Sequence, residues 1–367
     1  MNALHMSRNF KWGGSEQQMI NLIGYLNSNN VSSTIYCYKG SDLEKYAKKY
    51  SHDHYSVQKR SSFSFKGAKD LKKAIIKLKP DLLHIHTGSF LTTVMLTDII
   101  LRISSKIIFS KKDMSDKSSL LSRLKYNYSK INYTICVSKL VKERFKTILF
   151  KKNHSKLKVI YDGIITDEIV INKNAENYIN SIVPKSNIFV VGNVGNHVES
   201  KSIETLILVV DYIVNTLNIY NIHFIQIGRL TRFTPNYIEM VDESNLSSYI
   251  TFTDFKENAS GYIPFFNVFL ITSKREGGPS SMLDALLSKV PVVTTKVGFV
   301  PELIENNKNG FISESNDYIS LANDIIKLME NNDLTKKFTE INYNLVKEKF
   351  SSEVMGKETL KLYESLF

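Results

Sequence analysis

Short β-branched runs alternate with longer amphipathic stretches along almost the whole of this 367-residue chain. In the first half the runs lie at 3–6, 33–38, 81–86, 106–110, 133–137 and 157–161. Their apolar residues do not keep to every second position, which is the mark of strands buried on both faces. Between them, 15–26, 68–77, 90–103, 120–130 and 139–150 are helix-like. Such alternation predicts a parallel, doubly wound sheet.

The pattern pauses over 163–187, which is rich in asparagine and has no clear strand. It then resumes, with strands expected at 188–194, 222–227, 249–253, 268–272 and 291–295 and helices at 202–217, 280–288, 318–330 and 352–367. Two α/β domains are therefore expected, 1–165 and 188–351, with 166–187 as a linker. In open sheets of this kind ligands bind outside the carboxyl ends of the strands, so the expected site is a cleft between two facing sheets.

Composition removes several classes. Hydrophobic residues make up 43% and charged residues 23%, as in ordinary globular chains. Cys37 and Cys136 sit inside apolar runs and read as small buried filler in a reducing compartment. The most apolar stretch, 90–109, is cut by Asp98, Arg102 and Lys106, short of the ~20 apolar residues of a spanning helix. The first residues lack the apolar core of a signal peptide. The expected location is the cytoplasm, peripheral on the inner face of the membrane. Residues 106–158 hold fifteen Lys/Arg against three Asp/Glu, the whole of the net +12. Such a region attracts anionic surfaces. The stretch 139–150 sets Leu140, Val141, Phe145, Ile148 and Leu149 against Lys139, Lys142, Arg144 and Lys146. Its apolar side reads as a domain face and its basic side as available to lipid. No aromatic stacking pattern supports nucleic acid.

The richest motif is 273–285, SKREGGPSSMLDA, which follows a strand and opens a helix. Gly277, Gly278, Pro279, Ser280 and Ser281 form a turn whose free amides, at the positive end of a helix, suit an anion. Asp284 lies about 7 Å further along the axis at ~1.5 Å per residue, the reach from a diphosphate to ribose hydroxyls. Glu276 precedes the helix and is expected to face a sugar beyond the phosphates. A second motif, VVGNVGNHVESKSIETLI (190–207), is a strand, a glycine turn and a helix carrying Lys201. A third, Trp12-Gly13-Gly14-Ser15-Glu16, follows the first strand.

These motifs together resemble the GT-B glycosyltransferases, in particular the retaining family 4, also called glycosyl transferases group 1. Glu276 and Asp284 match its paired acids, the second shortened by a methylene. The segment ALLSKVPVVTTKVGFVPELIENNKNGF (285–311) is similar to the family's strand and Pro-Glu loop, with Phe299 at the loop's usual second glycine. Lys201 matches a diphosphate-binding lysine. Asn196 stands where the family has an arginine, and Arg229, after the next strand, is a candidate to supply that charge. Gly13 and Gly14 match the turn that closes on the diphosphate. Lys112 occupies the place of a histidine that contacts the donor sugar, and Asp162 replaces an asparagine before Gly163. The run Asp81-Leu-Leu-His84-Ile-His86 is also family-like. Its two histidines read as structural, since two without a further ligand do not make a zinc site.

The resemblance implies a GT-B fold with the last helix returning to the first domain. It also implies transfer of a hexose-type sugar with retention from a nucleotide-sugar, UDP by family frequency, onto a lipid-linked or polysaccharide acceptor. No metal or other cofactor is expected, since no Asp-x-Asp stands at a strand end. The expected roles are catalytic for Glu276, Lys201 and Lys112, and donor-binding for Gly13, Gly14, Asn196, Lys201, Arg229, Glu276, Gly277–Ser281 and Asp284. An epimerase on the same fold and a non-catalytic partner subunit are the alternatives.

Overall fold

The computed structural model describes every residue except 115–118, 167–172 and 184–186. The chain divides into two compact units, Met1–Ile165 with Ser352–Phe367, and Thr166–Ser351.

Unit 1 is a seven-stranded parallel sheet of β1 (Asn2–Met6), β2 (Ser32–Tyr38), β3 (His54–Val57), β4 (Leu82–Ile85), β5 (Lys106–Lys111), β6 (Ile131–Cys136) and β7 (Leu157–Val159). The order is β3-β2-β1-β4-β5-β6-β7. Its helices are α1 (Gly14–Ser28), α2 (Asp42–Lys49), α3 (Phe65–Leu78), α4 (Gly88–Leu101), α5 (Leu120–Tyr126) and α6 (Lys139–Lys146). Side chains alternate between the two faces. Leu4, Met6, Leu83, Ile85, Ile107 and Phe109 pack under α3, α4 and α6. Ala3, Leu82, Ile108 and Ile135 pack under α1 and the chain's last helix. Serine side chains start several helices: Ser41, Ser64 and Ser138 accept from Glu44 N, Gly67 N and Val141 N, each such cap being worth about 1 kcal/mol.

Unit 2 begins with α7 (Lys173–Ile182), where a bare linker was expected. Ala175 and Ile179 are buried, so the asparagine-rich sequence hides a two-residue helical seam. Its sheet contains β8 (Phe189–Val194), β9 (Ile222–Ile227), β10 (Ile250–Thr253), β11 (Val268–Ile271), β12 (Val292–Thr295) and β13 (Phe311–Ser313). The order is β10-β9-β8-β11-β12-β13, parallel at every pairing. The helices are α8 (Ile203–Asp211), α9 (Thr234–Glu243), α10 (Ser280–Leu287), α11 (Val300–Leu303), α12 (Tyr318–Glu330) and α13 (Asn332–Lys349). The final helix, α14 (Ser352–Glu364), belongs to unit 1, where it packs on α1. No described helix is long and apolar enough to cross a membrane.

Candidate active site

In unit 2 the strand order turns back between β8 and β11, so the connections leaving these strands diverge and open a crevice at their carboxyl ends. Lys201 and Glu276 sit there, one after each strand. The two loops are joined through the backbone: Lys274 N donates to Ser200 O at 2.8 Å, and Thr272 Oγ1 to Lys201 O at 3.1 Å. The Lys201 stem lies across Gly195, and its Nζ donates to Glu276 Oε1 at 2.5 Å. Ser273 Oγ donates to the same oxygen at 2.7 Å. Two residues 75 positions apart thus form one charged group. Ser273 was missed as a site residue, although its i, i+3 spacing from Glu276 was visible.

The loop after β9 meets the one after β8 so closely that a Cβ at Gly228 would stand 1.9 Å from Gly195 O. Asn196 Oδ1 accepts from Arg229 N at 3.0 Å. In place of an arginine's charge, Asn196 therefore provides a strut that shapes the loop. The Arg229 guanidinium lies over the Phe255 ring, 5.1 Å from its centroid.

The turn before α10 answers partly to packing. A Cβ on Gly278 would meet the Phe299 ring at 2.3 Å, so this glycine makes room for the bulky residue standing at the loop's usual glycine. Gly277 and Pro279 are buried, Gly278 and Ser280 half-buried. Pro279 is the N-cap of α10, and no side chain fills the cap. The amides of Gly277, Gly278, Ser280 and Ser281 donate to no acceptor among the described residues. Met282, Leu283, Ala285, Leu286 and Leu287 are buried, while Ser281, Asp284 and Ser288 are half-buried. The Asp284 carboxylate accepts no hydrogen bond among the described residues, and burial pushes its carboxyl up to about 7.

In unit 1 the corresponding reversal lies between β1 and β4. Gly13 is the N-cap of α1 and its carbonyl accepts from Glu16 N and Gln17 N. Its backbone is extended, a conformation open to any residue. Gly14 is the helix's first residue. Glu16 is buried and accepts from Ser7 Oγ at 2.8 Å and Asn9 Nδ2 at 2.7 Å. Burial raises its carboxyl, and these hydrogen bonds and the Lys112 charge oppose the rise. Lys112 Nζ pairs with Asp162 Oδ1 at 3.1 Å, both side chains mostly buried. The loop holding Asp162 is fixed to α1: Gly163 N donates to Gln18 Oε1 and Asn21 Nδ2 donates to Gly163 O.

His84 and His86 gain a third member that the sequence did not suggest. His5 lies opposite His84 across β1 and β4, and ligand atoms of all three fall within 4.8 Å of one another. His84 is engaged at both nitrogens, by Tyr363 Oη and Ser110 Oγ, and His5 Nδ1 and His86 Nε2 are hydrogen-bonded to each other at 3.1 Å. Burial pushes His5 down to about 3 and His84 and His86 well below the ordinary range. The donor set does not favour a cation. Metal-bound imidazoles need an acceptor for the second N–H, whereas His5 Nε2 and His86 Nδ1 have no hydrogen-bond partner among the described residues. The Lys112 charge also acts on His84 and His86.

Two doubly wound parallel sheets, with a charged pair and free helix-start amides at the switch point of the second, define the GT-B class. Residues 12–168 match the model of Glycosyltransferase Family 4, and 174–345 that of Glycosyl transferases group 1. The chain belongs to this glycosyltransferase family. It is 28% identical over 177 residues to the poly(ribitol-phosphate) alpha-N-acetylglucosaminyltransferase of Staphylococcus aureus strain COL, covering 48% of this chain and 35% of that protein. It is 32% identical over 180 residues to the Staphylococcus aureus capsular polysaccharide biosynthesis glycosyltransferase CapM, covering 48% and 46%. The matched segment thus spans less than half the length of each. The structure of Anabaena HepE in complex with UDP-glucose superposes with a TM-score of 0.86 at 17% identity over 100% of both chains, a likeness of fold.

Proposed function

We propose that this chain transfers a hexose-type sugar, with retention, from a UDP-sugar to a lipid-linked or polysaccharide acceptor during assembly of a bacterial surface polysaccharide, on the cytoplasmic face of an anionic membrane. The observation that carries the reading is the Lys201–Glu276 pair beside unpaired amides at the β8/β11 switch point. Leaving-group charge on a nucleoside diphosphate needs fixed donors. Lys201 and the amides of Gly277–Ser281 supply them, with Arg229 available at the rim, so the transfer runs without a metal ion. Binding of the diphosphate draws Lys201 from Glu276 and frees that carboxylate for sugar hydroxyls. Asp284 accepts from the ribose, which compensates its present lack of donors. Gly13, Gly14 and Lys112 are the unit 1 contributions, Lys112 held ready by Asp162. The names of the Staphylococcus relatives, a poly(ribitol-phosphate) alpha-N-acetylglucosaminyltransferase and a capsular polysaccharide biosynthesis glycosyltransferase, support the polysaccharide role, and the UDP-glucose held by HepE supports the donor.

The test is a thermal-shift series with UDP, GDP, ADP and UDP-sugars, followed by donor hydrolysis. A ligand at ~100 times its Kd adds about 2.7 kcal/mol to the folded state. UDP is expected to raise the melting temperature of the native chain and to have no effect on Lys201→Ala or Glu276→Ala. A chain that responds to no nucleotide and turns over no donor would refute the proposal.

A further inference from the structure

Helix α5 has no buried residue. Leu120, Leu121 and Leu124 are 75%, 63% and 51% exposed, although a domain helix ordinarily turns its leucines inward. The helix is nonetheless anchored. Asn127, which follows it, donates to Ile148 O at 3.2 Å, and its Oδ1 accepts from Phe150 N at 2.7 Å and Asn153 Nδ2 at 2.9 Å. These bonds hold Phe150, Lys151 and Lys152 beside α5. The Arg123 guanidinium lies over the Phe150 ring at 5.6 Å, and Phe150 is itself 42% exposed. Arg123, Lys151 and Lys152 are all exposed. The result is an apolar ridge set among cations.

We infer that this surface docks the protein on a bilayer containing anionic lipid. The three leucines and Phe150 enter the boundary between headgroups and acyl chains, and Arg123, Lys151 and Lys152 meet the lipid phosphates. Charge selects the occupant. A second copy would set this positive surface against itself, and a nucleic acid would leave the leucines uncovered. An anionic bilayer satisfies both kinds of side chain. The ridge lies inside the basic stretch 106–158: in α6 Val141 and Phe145 are buried, so its apolar side is the domain face read from the sequence, and α5 carries the exposed leucines. The inference rests on the proposed lipid-linked acceptor, because a transferase acting on such an acceptor must work at the bilayer.

The full chain is sedimented with vesicles of phosphatidylcholine alone and with about 30% phosphatidylglycerol, at low and high salt. Expected is binding to the anionic vesicles only, weakened by salt. In Leu121→Ser/Leu124→Ser and in Arg123→Gln/Lys151→Gln/Lys152→Gln the affinity falls at least about tenfold, with unchanged melting temperature because none of these side chains is buried. Ile238→Ser, at an exposed apolar position of unit 2, binds like the native chain. Absence of vesicle binding, or variants that bind as the native chain does, overturns the inference. So does a native dimer that the leucine variants split. The same samples are tested with UDP. A UDP response without vesicle binding sinks the docking surface alone, and vesicle binding without any nucleotide response sinks the proposed transferase alone.

Discussion

Lys112 and Asp162 stand where the family resemblance gives a histidine and an asparagine, and they form an ion pair at 3.1 Å. Taken singly, each departure suggests a weakened site. Together they form a charge-compensated substitution, so a variant of one should be more harmful than its residue type implies. Asp162→Asn leaves a mostly buried ammonium unpaired, and Lys112→His leaves a carboxylate without its cation. In a double-mutant cycle the two changes together are expected to cost less than the sum of the singles, with a coupling of about 1–3 kcal/mol in urea unfolding. Donor turnover should follow the same non-additivity. Strict additivity would show the pair to be incidental.

Asp284 gives a pH signature. Its carboxyl is raised in the folded chain to about 7, against an unfolded value near 3.9. The folded state therefore holds the proton more tightly. Stability associated with this group is complete below about pH 4 and is lost as pH rises through about 7. Asp284→Asn removes that dependence. Thermal melts should show the variant no more stable than the native chain at pH 4 and more stable by about 1–3 kcal/mol at pH 8. UDP binding should be weakened, because an amide has one acceptor oxygen where the ionised acid has two. Lys201, Glu276 and Asp284 could be singled out as candidates from sequence, since each lies inside a contiguous motif. Sequence could not reveal the Lys201–Glu276 bond, the Asn196 strut or the third histidine, because these depend on which strands become neighbours.

At the scale of elements, the long buried strands were legible because each is rich in β-branched and other apolar residues that do not alternate strictly with polar ones. β3 and β13 were not: the first has four residues, all half-buried, and the second has three. Helix α13 was also missed despite its 18 residues. Its seam is Phe338, Asn342 and Val346, and the asparagine at the middle breaks the apolar signal at the point where periodicity is read. The turn before α10 carries the prediction at this scale. Gly278→Ala places a methyl against Phe299 and is expected to destabilise unit 2 by about 1–3 kcal/mol, with loss of the UDP-induced shift. Gly278→Ala/Phe299→Ala should regain the shift while remaining less stable, because a fully buried ring has been removed. If the double variant stays unresponsive to UDP, the glycine acts on the ligand and not through the ring.

Over the whole molecule, the chain builds unit 1 from both its ends. Tyr363, fully buried on α14, donates to or accepts from His84 at 2.6 Å. Met355 and Leu362 complete the layer over Ala3, Leu82 and Ile108, and Ser352 N bonds Ile164 O. Tyr363→Phe should lower the melting temperature of unit 1 by breaking this bond inside a packed site, an effect of about 1–3 kcal/mol, while the unit 2 transition stays in place. Differential scanning calorimetry with and without UDP would separate the two transitions. Residues 352–367 follow 166–351 in the chain, so the face of the unit 1 sheet that α1 covers in part gains the rest of its layer only once α14 has been made. Until that helix arrives, the aliphatic side chains of Ala3, Leu82 and Ile108 lack part of their cover, so the unit begun first is closed by a segment that lies beyond the whole of the other.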